Sequence, residues 1–187
     1  MDTRSQILQI AERLIKTKGY TAFSYHDIAQ ELGVKNAAIH YHFTNKELLG
    51  IAVVERAIQQ WDAYRTRLSK EPVLIQLLEF INLYKANQQE RQVCLIGAIA
   101  TQVTGLPPTM GMRLQVLAES IHTYLSHVLE EGKQKEIFSF ETSPSQKAFL
   151  IISNLAAGLQ LARVMGPQVF QEIKSGILKE LSVYNYE

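Results

Sequence analysis

The 187-residue chain has little of what staples or punctuates a fold: one cysteine, five prolines and ten glycines. A lone Cys94 excludes an intramolecular disulfide framework and a cysteine-rich zinc site, and it suits a reducing compartment. So few prolines and glycines, set between apolar runs of helical spacing, leave little room for a sheet, and no alternating segment bounded by hairpin turns occurs. The chain reads as all-α, and its 47% hydrophobic and 20% charged content suffices for a large core. Excess charge is also lacking. Of 19 basic and 18 acidic residues, residues 1–70 hold 10 and 7, leaving 9 and 11 for the remainder. Any affinity for nucleic acid must therefore rest on placed contacts and on dimerisation rather than on a polycationic surface. The first residues, MDTRSQ, lack the charged and apolar regions of a signal peptide, so a cytoplasmic protein is expected. There is no Gly-rich phosphate loop, no G-x-S-x-G, no H-E-x-x-H and no framed pair of carboxylates. Neither an enzyme nor a cofactor is expected.

What is present is a densely punctuated stretch at residues 24–49, SYHDIAQELGVKNAAIHYHFTNKELL. Ser24 and Asp27 have the spacing of a capping box, in which a hydroxyl caps a helix start and the acid reaches back to the capping residue's N–H. Ile28 and Leu32 share the buried face of that helix beside the small Ala29, and Gly33 permits the left-handed backbone that ends it. A second short helix starts near Asn36, with Ile39 and Phe43 on its apolar side and Asn36, Ala37, His40 and Tyr41 on another. Thr44 with Glu47 repeats the capping spacing and opens a third helix at about Asn45 or Lys46. Helix, tight turn, short exposed helix is the arrangement that offers its second helix to the DNA major groove, whose base edges carry a donor and acceptor code. Asn36, His40 and Tyr41 suit base edges. Lys46, at a helix start, suits a phosphate oxygen.

The same residues resemble the DNA-binding segment of the TetR family of bacterial regulators. The match runs through residues 3–60 in order: an amphipathic first helix ending KGY, then TAFSYHDIA, ELGV, IHYHF and NKELL. That resemblance implies a domain over 1–61, with the helix-turn-helix at about 24–43, and a C-terminal helical ligand-sensing and dimerisation domain over 62–187. It also implies base or groove contacts from Lys35, Asn36, Ala37 and His40, and phosphate contacts from Ser24, Tyr25, Tyr41, His42 and Lys46. Two positions depart from the family's common residues: Lys35 stands where a short capping residue is frequent, and His40 where tyrosine is. His40 and His42 are two apart on a helix and do not converge, so no metal site is expected there.

Elsewhere the spacing predicts a first helix capped by Thr3 and Gln6 that buries Ile7, Ile10, Ala11, Leu14 and Ile15. Further helices are expected from Lys46 to about Leu68, over 73–88, over 93–104, and from about Thr109 to Gln134. Ser143-Pro144-Ser145-Gln146 combines a cap, proline at the first helical position and glutamine at the third. The helix behind it is apolar on more than one side. Polar residues interrupt it, and burial between two layers explains it better than a membrane span. One row, Phe149, Ile152, Ala156 and Leu159, is expected to face its own subunit. A smooth row of Ile151, Leu155, Gly158 and Ala162 is expected to face a second copy, joined by Phe170, Ile173, Ile177, Leu181 and Tyr184 of the last helix. The resemblance implies the same four-helix homodimer, with the reading helices about one DNA turn, ~34 Å, or somewhat more apart on a palindromic operator.

Trp61, Tyr64, Tyr84, Met110, Met112 and Tyr124 could line a hydrophobic cavity with polar handles, or could be plain core. His122 and His127 read as pocket lining or surface. VCLIGAIA, followed by LPP, resembles a subgroup of TetR-like regulators, some of which sense electrophiles or oxidants through a cysteine; the alternative is that Cys94 is a buried small apolar residue. Arg91, close in sequence, could lower its pKa. Three readings follow: a repressor released from its operator by a small hydrophobic or electrophilic inducer, a thiol-gated sensor acting through Cys94, and a helical protein-interaction module without specific DNA binding.

Overall fold

The computed structural model describes residues 2–102 and 105–181. Among the described residues there are nine α-helices and no strand, and they form two compact units.

The first unit comprises Met1–Trp61 with Cys94–Ala118. Its α1 (Thr3–Lys18) is capped by Asp2, whose carboxylate accepts from the Ser5 N–H at 2.7 Å; the expected Thr3 cap is displaced by one residue. It buries Ile7, Leu8, Ala11, Leu14 and Ile15 and stops at Gly19, whose φ of 93° lies in the region favourable only to glycine. Then come α2 (Tyr25–Leu32), α3 (Asn36–His42) and α4 (Lys46–Leu68), the last capped by Asn45, whose side-chain oxygen accepts from the Leu48 N–H at 2.9 Å, rather than by Thr44. α1 packs on α2 and on α6 (Leu95–Ala100), and α2 packs on α3. Ile7, Ile15, Ile28, Ile39, Leu49 and Val53 are fully buried and form the centre. α6 is shorter than the expected 93–104 helix, of which 103–104 lie outside the described residues.

The second unit comprises Asp62–Val93 with Glu119–Glu187. Both α4 and α7 (Pro108–Gln134) contribute residues to each unit, and the segment 94–118 packs with the N-terminal residues. Hydrophobic spacing marked its helices but carried no information on which neighbour they would meet. In the second unit α5 (Val73–Gln89) packs on α8 (Pro144–Met165) and α9 (Gln168–Glu180), and α8 packs along α9. Ser143 and Gln146 make the expected capping box at α8, with Pro144 behind it.

The two rows assigned to α8 do not divide as expected: of the inward row Leu159 is buried and Ile152 and Ala156 are half-buried, while Ile151, Leu155 and Gly158 of the row assigned to a second copy are also buried within the subunit, as are Phe170, Ile177 and Leu181. At Gly158 α9 comes close, for a Cβ there would stand 3.0 Å from Ile173 Cδ1 and 3.4 Å from Phe170 Cδ2. Ala162 and Ile173 are half-buried, and Tyr184 lies outside the described residues. Phe149, expected inside, is exposed and stacks on His122 at 3.8 Å between ring centroids. The physical reason is that α8 is apolar on two sides, so its periodicity defines two rows without saying which is inward. The face left outward carries Leu150, Ala157, Leu161 and Val164, seven or three to four residues apart, with Met165 beside them. α8 is also the one described helix long and apolar enough by composition to cross a membrane.

Candidate nucleic-acid interface

Local chemistry dictates the two helices of the reading head. The Ser24 hydroxyl accepts from the Asp27 N–H at 3.4 Å, while Asp27 Oδ2 accepts from the Ser24 N–H at 2.8 Å and from its hydroxyl at 2.6 Å. Those bonds from Ser24, and then Lys18 at 3.2 Å, hold the Asp27 carboxyl well below the usual carboxylate range. At the other end of α2, Gly33 has φ 68° and the Val34 N–H reaches back to the Ala29 carbonyl at 3.0 Å, turning the chain into α3. Because the Asp27 pKa is depressed by folding, its contribution is complete at neutral pH and is lost as pH falls below about 4. Ser24→Ala should lower the stability of the head by about 1 kcal/mol at pH 7 and flatten that acid dependence, measured by thermal unfolding between pH 7 and pH 3.

α3 is pinned by Ile39, fully buried, and by Phe43 at its end. Those anchors leave Lys35, Asn36, Ala37, His40 and Tyr41 outward on one exposed surface. Tyr41 is 85% exposed, an unusual setting for so large an aromatic ring. Its edge meets His42 at 5.2 Å, and the His40 ring meets Tyr25 at 4.7 Å, so the two imidazoles have separate partners. Lys35 occupies the N-cap of α3 without a side-chain cap bond, leaving both its ammonium and the first N–H groups of the helix outward.

Three of the expected phosphate contacts have other occupations. Tyr25 is buried, its hydroxyl donates to the Phe43 carbonyl at 2.9 Å, and burial pushes the phenol up to about 12. It is the strut that fixes the end of α3 to the start of α2. Lys46 turns inward: its ammonium donates to the Thr21 carbonyl at 3.2 Å and to the Phe23 carbonyl, and it lies 4.3 Å from the centre of the Phe23 ring. Its pKa is lowered by burial. Sequence placed Lys46 correctly at a helix start, but a side chain of that length reaches the preceding loop as easily as solvent. Ser24, although exposed, has its hydroxyl in the capping box. Arg4 was missed. It is exposed in the first turn of α1 with its guanidinium 5.2 Å from the Phe43 ring centre, beside the end of α3. A cation in a first helical turn opposes the helix dipole, and that was the available signal.

The seven residues considered for ligand contact are divided between the two units. Trp61, Cys94, Met110 and Met112 belong to the first unit, and Tyr64, Tyr84 and Tyr124 to the second. Met110 is fully buried against Gly50, whereas Met112 is 60% exposed. In the second unit the Tyr64 hydroxyl donates to the Glu79 carbonyl at 2.9 Å, and that of Tyr124 to Gln76 Oε1 at 3.1 Å. The Gln76 amide then donates to the Glu71 carbonyl at 2.8 Å, giving the apolar interior a connected polar seam. Cys94 caps α6, its sulfur accepting from the Gly97 N–H at 3.3 Å. Burial pushes its thiol up, against weaker opposing effects from that bond and from Lys16, which is itself paired with Glu12 at 3.0 Å. The cation acting on the thiol is Lys16, where the sequence suggested Arg91.

A buried scaffold with one exposed short helix, joined to a second helical unit, defines a helix-turn-helix DNA-binding regulator. The sequence relationships say which kind. A family profile described as bacterial regulatory proteins of the tetR family matches residues 7–53, and a tetracyclin repressor-like C-terminal domain matches 72–172. The chain belongs to the TetR family of bacterial transcriptional regulators. A TetR regulator from Legionella pneumophila is 30% identical, with a TM-score of 0.86 over 97% of this chain and 98% of that one. A TetR-family regulator from Agrobacterium tumefaciens is 27% identical, with a TM-score of 0.87 over 95% and 96%. The transcriptional repressor NemR of Escherichia coli is 24% identical over 170 residues, 85% of this chain and 83% of the relative. As a family member the protein is a DNA-binding regulator rather than an enzyme, of a kind that binds operator DNA as a homodimer and responds to small molecules.

Proposed function

We infer that the protein is a cytoplasmic repressor whose two copies each set α3 into the major groove of one half of a palindromic operator, and which lets go when a small molecule binds the second unit. The observation that carries this is the outward surface of α3, where Asn36, Ala37, His40 and an 85% exposed Tyr41 surround a helix pinned from beneath by Ile39. Asn36 and His40 read base edges, Ala37 offers a small apolar contact, and Lys35, Tyr41, His42 and Arg4 supply phosphate contacts at the margins of the same surface. The matched E. coli relative is named a repressor, which favours repression here. Release is a population shift: an inducer must bind the DNA-incompetent state more tightly than the competent one. Because α4 contributes to both units, a change in its packing reaches the head. The second copy meets the outward face of α8, which also accounts for that helix being apolar where it is exposed.

Fluorescence anisotropy with the chain's own upstream duplex and a scrambled control at ~0.15 M salt tests the reading. Dimer-stoichiometric binding to the upstream duplex alone supports it. Equal weak binding there and to duplexes selected from random DNA refutes it. Asn36→Ala and His40→Ala should each cost about 1–3 kcal/mol on the operator and relax base preference at one position, while Arg4→Ala weakens specific and random DNA alike and lowers the salt slope by about 1.

A further inference from the structure

Within the second unit, the end of α5 and the turn from α8 into α9 enclose an open groove of about 540 Å³, a size usual for small-molecule sites. Its walls are Arg91 with Gln88, Gln89 and Gln92 on one side and Arg163 with Leu159, Ala162, Gly166 and Pro167 on the other. None of these lining residues is acidic. We propose that this groove is a binding site for a small organic carboxylate, gripped between Arg91 and Arg163, with its carbon body against Leu159, Ala162 and Pro167.

Two features bear on a negative charge. First, a guanidinium presents a planar fork that matches a carboxylate, and one stands on each wall. Second, Arg91 is held in an unfavourable backbone conformation to be there. α5 ends in a Schellman turn, with the Arg91 N–H on the Gln88 carbonyl at 3.0 Å and the Gln92 N–H on the Asn87 carbonyl at 2.8 Å. The left-handed position of such a turn usually belongs to glycine, yet here it is arginine with φ 54°. The glutamine amides supply neutral donors and acceptors for the rest of the ligand. Glu136, with φ 58°, makes the same kind of stop at the end of α7 but does not line the groove, and so serves as the internal control.

The site would be the effector site of the regulator inferred above, and it rests on that reading only for its consequence. Binding is scored without DNA, so failure here and failure of operator binding are separate results. The full-length protein is titrated with 4-fluorobenzoate and with its neutral analogue 4-fluorobenzamide, followed by fluorine NMR. One saturable site per chain is expected for the carboxylate, with the amide weaker by at least ~tenfold. Arg163→Gln and Arg91→Asn, the latter a residue that tolerates the left-handed conformation, should each weaken the carboxylate by about tenfold. Arg91→Gly should raise the melting temperature while weakening binding, whereas Glu136→Gly should raise it and leave binding unchanged. No saturable binding, equal binding of carboxylate and amide, or indifference to both arginine substitutions overturns the proposal.

Discussion

Val164→Glu is expected to turn the homodimer into folded monomers and to weaken operator binding by two orders of magnitude or more. Val164 is 86% exposed on α8, so its replacement removes no packing within the subunit. It lies at the end of the outward row formed by Leu150, Ala157 and Leu161, close to Met165, and the dimer proposed above sets that row against its own copy. A carboxylate there must be desolvated without a partner. A monomer has one reading helix where the dimer has two, and it loses the effective concentration that makes the second half-site contact nearly automatic, commonly a factor of 10²–10⁴. Light scattering after size exclusion should show half the mass with unchanged helical content, and anisotropy should show the affinity loss. Leu155→Glu gives the contrast. Leu155 is fully buried within the subunit, so a charge there unfolds it instead of separating two intact ones. A Val164→Glu protein that stays dimeric and binds normally would place the interface elsewhere.

These two positions mark where the sequence was legible. The head was readable because its determinants are local: Ser24 with Asp27, Gly33 with its left-handed φ, and the Ile39 and Phe43 pair all act within a few residues. The start of α8 was readable for the same reason, through Ser143, Pro144 and Gln146. Whatever depended on a distant neighbour was not. Leu155 and Leu161 have equal hydropathy, and only the packing of α5 and α9 on α8 decides which is core. Tyr25 reads equally well as a phosphate donor or a strut until the Phe43 carbonyl is placed beside it. The candidate ligand residues were the least legible, since an aromatic at helical spacing is common to cores and cavities alike. The groove between Arg91 and Arg163 joins positions 72 apart in the chain, and no periodicity links them.

Gly50→Val is expected to destabilise the head by about 3 kcal/mol, although the sequence alone argues the opposite. Gly50 lies in the first turns of α4, where replacing glycine should gain a few tenths to 1 kcal/mol of helix propensity. The packing reverses the sign. A Cβ at Gly50 would stand 2.7 Å from Tyr20 Cε2 and 3.0 Å from Met110 Sδ. The methionine can yield by changing rotamer, but Tyr20 cannot move alone. Its hydroxyl donates to the Lys46 carbonyl at 3.2 Å, its ring lies beside the Lys46 ammonium at 5.3 Å, and its edge meets Phe23. Displacing it loosens the grip of Lys46 on the Thr21 and Phe23 carbonyls, which fixes the turn that launches α2. The damage therefore reaches the reading surface: thermal unfolding should show the stability loss, and operator affinity should fall while binding of 4-fluorobenzoate to the second unit is retained. Gly50→Ala should lose less in the same sense, because its single methyl still meets Tyr20. A Gly50→Val protein as stable as the parent would mean that Tyr20 has room to swing aside, and that Lys46 rather than the Gly50 contact holds the turn.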